Sequence, residues 1–132
     1  NSMLMNGIKI YDLVTISGDV HHIFPRAYLK NNGVTNKTKY NQVANYIYLD
    51  TQVNKAISDD SPTVYFTKAK RQCKTKEIEL GNISDESLLL SNLSENCIPN
   101  GIDKMDVSSY DNFLSERRKL MAALIERYYK GL

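Results

Sequence analysis

Two short segments rich in β-branched and aromatic residues, separated by a long polar stretch, limit the kind of sheet that this chain can form. The first is DVHHIFP at residues 19–25, and the second is NYIYLD at residues 45–50. Such runs are typical of strands, and Pro25 should end the first because proline cannot donate a hydrogen bond to a strand ladder. The Asn-, Gly- and Thr-rich stretch at residues 30–42 predicts a loop. We therefore expect a strand, a long loop and a second strand.

The segments that follow the second strand carry the signals of helix starts. Short polar residues, which can accept hydrogen bonds from a first helical turn, precede helix-forming runs at three places. The expected caps, in chain order, are Asp50 or Thr51, Ser61 with Pro62 at the first helical position, and Ser84. The second of these helices should cover about residues 62–72. Ahead of the first strand, GIKIYDLVTIS at residues 7–17 alternates roughly between apolar and polar residues and predicts an extended segment.

The strongest helix prediction covers the last segment of the chain, from Ser109 to Lys130. This segment consists mostly of good helix formers, and its apolar residues recur at helical spacing. The apolar stripe is Phe113, Leu120, Leu124 and Tyr128, with Leu114, Met121 and Ile125 beside it. Gly131 is expected just beyond the end of the helix, at C′. Everything after the second strand is therefore expected to be helical.

The composition of the 132 residues suits one packed domain that does not cross a membrane. Apolar residues make up 42% of the chain, and no apolar run approaches the roughly 18–20 residues that a membrane-spanning helix needs. Cys73 and Cys97 lie far apart without a C-x-x-C pair, which argues against a zinc knuckle and suggests reduced thiols in a cytoplasm. Asn1 and Ser2 precede a methionine, so we expect an excised domain of a larger polypeptide.

The net charge of +2 neither requires nor excludes a nucleic-acid partner, but one run of residues is strongly basic. The run KAKRQCKTK, at residues 68–76, contains no acid. Its cations are Lys68, Lys70, Arg71, Lys74 and Lys76. Two interpretations stay open. The run is either a solvated helix face or a patch that contacts phosphates, chiefly through its first three cations.

Both histidines of the chain, His21 and His22, stand side by side at the end of the first expected strand. Side chains alternate between the faces of a strand, so Asp19 and His21 should share one face and His22 should point to the other. A single histidine on a strand is more often a structural residue than a ligand or a base. Asn45, before the second strand, and Asn54, in the following helix, are ordinary residues when taken alone. The spacing of the whole set is what favours a functional site.

The segments HHIFP, NYIYL and NKAI resemble, in this order, the motif of the HNH endonuclease family. Asn45 follows His22 by 23 positions, and Asn54 follows Asn45 by nine. The resemblance covers about residues 6–66 and extends weakly to the terminal helix. It is greatest to the C-terminal HNH domains of modification-dependent restriction proteins with a ParB-like nucleotidase domain, and it includes the HNH domains of RNA-guided CRISPR nucleases. The fold that it implies is the ββα-metal, or His-Me, finger.

The resemblance implies a role for each residue in phosphodiester hydrolysis. His22 matches the general base that activates the attacking water. Asn45 matches the residue that ties the loop to the strand and helps to orient this base. His21 and Asn54 match the two metal ligands. Asp19 stands where some members of the family have an additional acid, which would either coordinate the metal or hold His21.

One divalent ion held by two protein ligands would keep positions open for water and phosphate oxygens. Mg²⁺ or Mn²⁺ would suit such a site, and an imidazole ligand also admits Ni²⁺ or Zn²⁺. If Asp19 points away from the ion, the site would bind Mg²⁺ weakly. Arg26, Lys30 and Lys55 lie close to the motif residues and are candidates for phosphate contacts, with ordinary surface charge as the alternative.

Together these features predict an α+β domain in which a small ββα-metal finger is embedded in a mainly helical chain. The expected unit is a single HNH nuclease domain over residues 1–132, with the finger at about 15–60 and a helical extension at about 62–130. We expect a cytoplasmic, metal-dependent DNA endonuclease, the nuclease module of a restriction or phage-defence protein whose N-terminal domain is absent from this chain. The alternative is a non-catalytic or partner-dependent DNA-binding or assembly module. A secreted toxin is disfavoured, since toxins of this fold usually carry further histidines on the helix.

Overall fold

A computed structural model describes residues 2–7 and 19–131, with the backbone alone at Asp19. These residues form helices and one two-stranded antiparallel sheet. The strands are β1 (Asp19–His22) and β2 (Tyr46–Leu49). The helices are α1 (Arg26–Asn31), α2 (Lys37–Tyr40), α3 (Thr51–Ile57), α4 (Pro62–Thr75), α5 (Glu86–Glu95) and α6 (Tyr110–Lys130). The 3₁₀ turns cover Val43–Asn45, Ile102–Lys104 and Val107–Ser109. This mixture of helix and sheet agrees with the predicted α+β class.

Both predicted strands around the long polar stretch are present. The extended segment expected at residues 7–17 lies outside the described residues, apart from Gly7. Pro25 follows β1 and occupies the N-cap position of α1, as expected of a residue that cannot continue a ladder. The order strand, intervening segment, strand and helix is therefore confirmed.

Two of the predicted helix starts are confirmed by their caps. The carboxylate of Asp50 accepts hydrogen bonds at the start of α3, so Asp50 rather than Thr51 is the cap. Ser61 caps α4, and Pro62 occupies its first position, where a missing N–H has no cost. The helix α4 continues to Thr75, beyond the end expected near residue 72. Local capping chemistry therefore sets both starts, while the end of α4 was underestimated.

The prediction that Ser84 caps the third of these helices is wrong. Asp85 is the N-cap of α5, and its carboxylate accepts a hydrogen bond from the backbone N–H of Leu88 at 3.1 Å. This bond and a second one from the hydroxyl of Ser87 lower the pKa of Asp85. Serine and aspartate are both good caps, so their order along the chain did not decide between them.

The polar stretch at residues 30–42 is not the continuous loop that its composition predicts. It contains the end of α1 and the whole of α2. Asn36 caps α2 by accepting a hydrogen bond from the N–H of Thr38 at 2.9 Å. Tyr40, at the end of α2, is buried, which gives this short helix an apolar anchor. Asn36, in a segment whose composition is typical of a loop, is therefore a helix cap.

The core begins directly after the two histidines. Ile23 and Phe24 are completely buried. The ring centroid of Phe24 lies 4.8 Å from that of Phe113 and 5.2 Å from that of Tyr110, both on α6. Aromatic pairs at such distances bury large apolar areas and fix ring orientation. The N-terminal half of α6 thus packs against the end of β1, although the two lie far apart in the sequence.

Only the first part of the apolar stripe on α6 is buried. Phe113 and Leu114 lie in the core, whereas Leu124 is 45% exposed and Tyr128 is 66% exposed. Gly131 stands at the C-cap position and donates to the carbonyl of Arg127 at 3.1 Å. Within the described ranges, no helix combines the length and the apolar character needed to span a bilayer.

The buried Arg117 joins α6 to the start of β2. Its Nη1 donates to the carbonyl oxygens of Ala44, at 3.0 Å, and Tyr46, at 2.6 Å. Its Nη2 donates to the carbonyl of Asn96 at 3.3 Å. Removal from water lowers the pKa of Arg117, although carbonyl dipoles replace part of the lost hydration. The guanidinium therefore serves as a structural donor to backbone groups that the short sheet leaves unpaired.

Tyr110 joins the same helix to the segment between the strands. Its hydroxyl donates to the carbonyl of Lys39 at 2.8 Å. Burial, with a smaller contribution from the charge of Asp111, raises the pKa of Tyr110 from 10.0 to about 12. The folded protein thus favours the neutral phenol over the phenolate, because burial penalises the charged form, and the neutral phenol can donate this bond.

This shift predicts a loss of stability at alkaline pH. The contribution of Tyr110 is fully present below pH 10 and is lost as the pH rises towards about 12. The free energy of unfolding of the wild type should therefore fall more steeply over this interval than that of Tyr110→Phe, by roughly 1–3 kcal/mol. Urea denaturation at a series of pH values measures the difference. Parallel curves for the two proteins would contradict the assignment.

Candidate functional site

Four of the residues singled out in the sequence line one open depression of about 310 Å³. His21 and His22 reach it from the end of β1, and Asn54 reaches it from α3. The wall is completed by Val20, Pro25, Arg26, Ala27 and Ser58. The described part of the chain thus brings together both histidines and the predicted helix ligand. A basic residue, Arg26, stands at the edge of the same space.

The two histidines occupy opposite faces of the sheet. In the antiparallel register His21 pairs with Ile47 and His22 with Tyr46, and directly opposed residues share a face. Ile47 is buried, so His21 lies on the face that packs against the core. His22 lies on the other face, where its ring meets the edge of the Tyr46 ring at 5.2 Å. The alternation expected from the sequence is therefore present in the pairing.

The imidazole of His22 has a hydrogen-bond partner that the sequence did not reveal. Its Nε2 lies 2.9 Å from Oδ1 of Asn41, the residue that follows α2. A carboxamide oxygen only accepts hydrogen bonds, so in this arrangement Nε2 carries a proton, and in a neutral ring Nδ1 then keeps its lone pair. The contact therefore selects one tautomer and one orientation of the ring. Nothing in the sequence distinguishes Asn41 from the other asparagines of the polar stretch.

Asn45 holds the backbone directly after the histidines. This side chain is completely buried. Its Oδ1 accepts from the N–H of Phe24 at 2.8 Å, and its Nδ2 donates to the carbonyl of Phe24 at 3.1 Å and to that of Tyr40 at 3.4 Å. The carbonyl of Asn45 accepts from the N–H of Ile23 at 2.9 Å. One residue thus connects the end of β1, the end of α2 and the start of β2.

Tyr65 on α4 supports the same backbone from the other side. Its hydroxyl donates to the carbonyl of Ile23. Burial raises the pKa of Tyr65 well above its usual value, while the nearby charge of Arg117 opposes the increase. The phenol therefore stays neutral and acts as a donor. The sequence did not predict this contact, because Tyr65 and Ile23 lie 42 positions apart in the chain.

Two of the described side chains that line the depression, His21 and Asn54, are of kinds that can bind a metal ion. Asn54 is half-buried, and no hydrogen bond of its amide joins it to another described residue. His21 provides an imidazole at the same depression. An imidazole nitrogen and an amide oxygen are the kinds of ligand that suit a divalent ion retaining several water ligands. Among the described residues, no group of three or more His, Cys, Asp or Glu side chains could hold a metal ion, at this depression or elsewhere. The side chain of Asp19, the predicted additional acid, lies outside the described residues.

Three of the five cations of the run at residues 68–76 form ion pairs with acids. The ion pairs join Lys68 to Asp60 at 3.2 Å, Lys70 to Asp103 at 3.0 Å and Arg71 to Glu79 at 2.7 Å. The hydrogen bond from Arg71 also lowers the pKa of Glu79. Of the two interpretations of this run, the ion pairs favour the solvated helix face. None of its residues lines the depression with the histidines.

Of the three remaining basic candidates, only Arg26 borders the depression. Lys30 is exposed on α1, and its Nζ lies 5.4 Å from the centroid of the Tyr40 ring. Lys55 is exposed on α3, next to Asn54. Comparison of the chain with protein-family models, with curated proteins and with solved structures gives no match.

Replacement of Asn45 should destabilise the whole domain. Asn45→Ala leaves the buried N–H of Phe24 without its acceptor and removes both Nδ2 donors. We expect the free energy of unfolding to fall by roughly 2–4 kcal/mol, measured by urea denaturation. Asn31→Ala is the matched control, because Asn31 is exposed at the end of α1, and it should change stability by less than about 0.5 kcal/mol. Equal effects of the two substitutions would contradict the role of Asn45.

The Asn41 contact predicts a measurable state of His22. In the wild type the neutral ring should show a slowly exchanging Nε2 proton in ¹⁵N-resolved NMR spectra. Asn41→Ala removes the acceptor, so this signal should broaden or vanish, whereas Asn41→Asp supplies a carboxylate acceptor and should retain it. A wild-type ring protonated on Nδ1 alone would exclude the proposed tautomer, and an unchanged Nε2 signal in Asn41→Ala would contradict the role of Asn41 in selecting it.

Proposed function

We propose that this domain is a metal-dependent DNA endonuclease of the HNH type, built on a ββα-metal finger. The observation that carries the proposal is the depression shared by His21, His22 and Asn54. These residues occupy the positions of the HNH motif and come from the strand and the helix that such a finger requires. Asn45, between them in the motif, connects the segments that present them.

In this proposal His22 is the general base. With its proton on Nε2, held by Asn41, it has Nδ1 available to accept a proton from water. The water oxygen then attacks phosphorus, and the bond from phosphorus to the 3′ oxygen breaks. The products are a 5′-phosphate and a 3′-hydroxyl, whose oxygen takes a proton from solvent. The edge contact with Tyr46 and the bond to Asn41 keep the ring in place.

His21 and Asn54 are the proposed metal ligands. A divalent ion bound there would neutralise charge on the phosphate and on the leaving oxygen. Mg²⁺ and Mn²⁺ are the first candidates, and the imidazole of His21 admits Ni²⁺ or Zn²⁺. Asp19 is a candidate third ligand. The role of Arg26 at the edge of the depression would be to hold a phosphate oxygen.

The biological setting follows from the same resemblance. We infer a nuclease module of a restriction or phage-defence protein, acting in the cytoplasm. Cleavage would need only the residues around the depression. Recognition of a sequence or of a modified base would then belong to another part of the same system.

The second candidate is a DNA-binding or assembly module that retains the finger but depends on a partner for catalysis. The observation in its favour is that neither of the proposed ligands at the depression, the imidazole of His21 and the amide of Asn54, supplies negative charge. A site with so little negative charge would bind a hard cation weakly. Salt-sensitive DNA binding without cleavage in any divalent metal would favour this candidate.

The nuclease proposal predicts a large effect of one substitution. His22→Ala should lower the rate of plasmid nicking in Mn²⁺ or Mg²⁺ by about 10²–10⁴-fold, because the base that activates water is lost. Removal of the metal with a chelator should abolish nicking by the wild type. Val64→Ala is a suitable control, since Val64 is exposed on α4 away from the depression, and it should cut as the wild type does.

His21→Ala and Asn54→Ala separate the ligands from the base in the same assay. Each should raise the metal concentration at half-maximal rate by at least about tenfold, with part of the lost activity recovered at high metal. His22→Ala should not be recovered in this way. If His22→Ala nicks plasmid as fast as the wild type, the mechanism is wrong.

A further inference from the structure

The segment from Val20 to Leu49 contains no aspartate or glutamate, although the whole chain has 15 acids. Its charged residues are Arg26, Lys30, Lys37 and Lys39. This segment includes β1 after its first residue, the helices α1 and α2, and all of β2. The part of the chain that carries His22 and its partner is therefore purely cationic, while the net charge of the protein is only +2.

Three of these cations lie around the histidine site. Arg26 borders the depression, and Lys30 follows it by one turn on the exposed side of α1. The Nζ of Lys30 lies 5.4 Å from the ring of Tyr40, the residue next to Asn41. Lys37 is one turn before Asn41, whose N–H donates to the carbonyl of Lys37 at 2.9 Å. The three side chains thus stand on the two short helices that border the His22–Asn41 pair.

These three cations also differ in their pairing from Lys39 and from the first three cations of the run at residues 68–76. Among the described residues, the ion pairs include Lys39 with Asp111 at 3.4 Å and three of the five cations of the run at residues 68–76, namely Lys68, Lys70 and Arg71. They include neither Arg26 nor Lys30 nor Lys37. Cations without a carboxylate partner retain their full charge towards a ligand, whereas paired ones must first give up an internal partner.

We propose that Arg26, Lys30 and Lys37 form the surface that binds the phosphate backbone of duplex DNA and leads one strand to His22. This inference deepens the proposed nuclease function and rests on it for the direction of the strand. Lys37 is thereby assigned to DNA binding, and the run at residues 68–76 is not part of the main contact surface. Arg26 at the edge of the depression, with Lys30 and Lys37 beyond it, contacts the phosphates on either side of the one that is cut.

The test measures DNA binding without cleavage. Fluorescence anisotropy of a labelled duplex is recorded over a series of salt concentrations, with the 132-residue chain carrying His22→Ala and with a chelator present. Each phosphate contact contributes about 0.9 to the slope of log affinity against log salt. The triple variant Arg26→Ala, Lys30→Ala, Lys37→Ala should lower this slope by about 2–3 and weaken binding at least about tenfold at moderate salt.

A charge-matched control separates the surface from net charge. Lys104→Ala, Lys119→Ala and Lys130→Ala remove three cations that lie on other elements, and this variant should keep the slope within about 0.5 of the parent. A third variant, Lys68→Ala, Lys70→Ala, Arg71→Ala, should lower the slope by less than about 1. Thermal unfolding verifies that each variant is folded. If the first triple variant does not fold, Arg26→Gln and Lys37→Gln should each lower the slope by about 1.

Three results would overturn the proposal. They are an equal loss in the control variant, a larger loss in the variant of the run at residues 68–76, and no salt-dependent binding by the parent. Plasmid nicking is assayed separately. DNA binding with the expected slopes but without nicking would refute the nuclease function and support the binding surface. Nicking by the wild type, together with an unchanged slope in the triple variant, would refute the binding surface and support the nuclease function.

Discussion

A single buried amide, that of Asn45, holds together the segments from which the site is assembled. It accepts from the N–H and donates to the carbonyl of Phe24, so it pairs with this residue much as a neighbouring strand would. An amide can do this because it carries a donor and an acceptor on one planar group. The ring of Phe24 is packed against α6. The position of His22, two residues earlier, therefore follows from the position of the core.

Other buried polar side chains also form hydrogen bonds with backbone groups near the ends of the two strands. A sheet of two four-residue strands leaves many backbone groups unpaired where it enters the core, and such groups need partners. Tyr65 supplies a donor for the carbonyl of Ile23, and Arg117 supplies donors for those of Ala44 and Tyr46. Because these donors come from α4 and α6, the helical part of the chain is needed to hold the strand ends in place.

The elements that were predicted correctly depend on interactions within a few residues. Asp50 caps α3 through the next turn of backbone, and Ser61 with Pro62 begins α4 in the same way. The polar stretch at residues 30–42 was misjudged because its composition suits a loop, while α2 depends on the burial of Tyr40 by distant residues. The motif grouped His21, His22, Asn45 and Asn54 as a candidate site, and His21, His22 and Asn54 line one depression. Asn41 has no such signature.

By itself the sequence determined the alternation of the two histidines, the helix starts at local caps and the regularity of α6. These follow from backbone geometry over short distances, which local residues control. Only the tertiary structure decided which asparagine meets His22 and which cations are neutralised by acids. It also left the second half of the apolar stripe on α6 exposed. Each of these outcomes depends on which surfaces come together when distant segments pack, and periodicity along the chain does not contain that information.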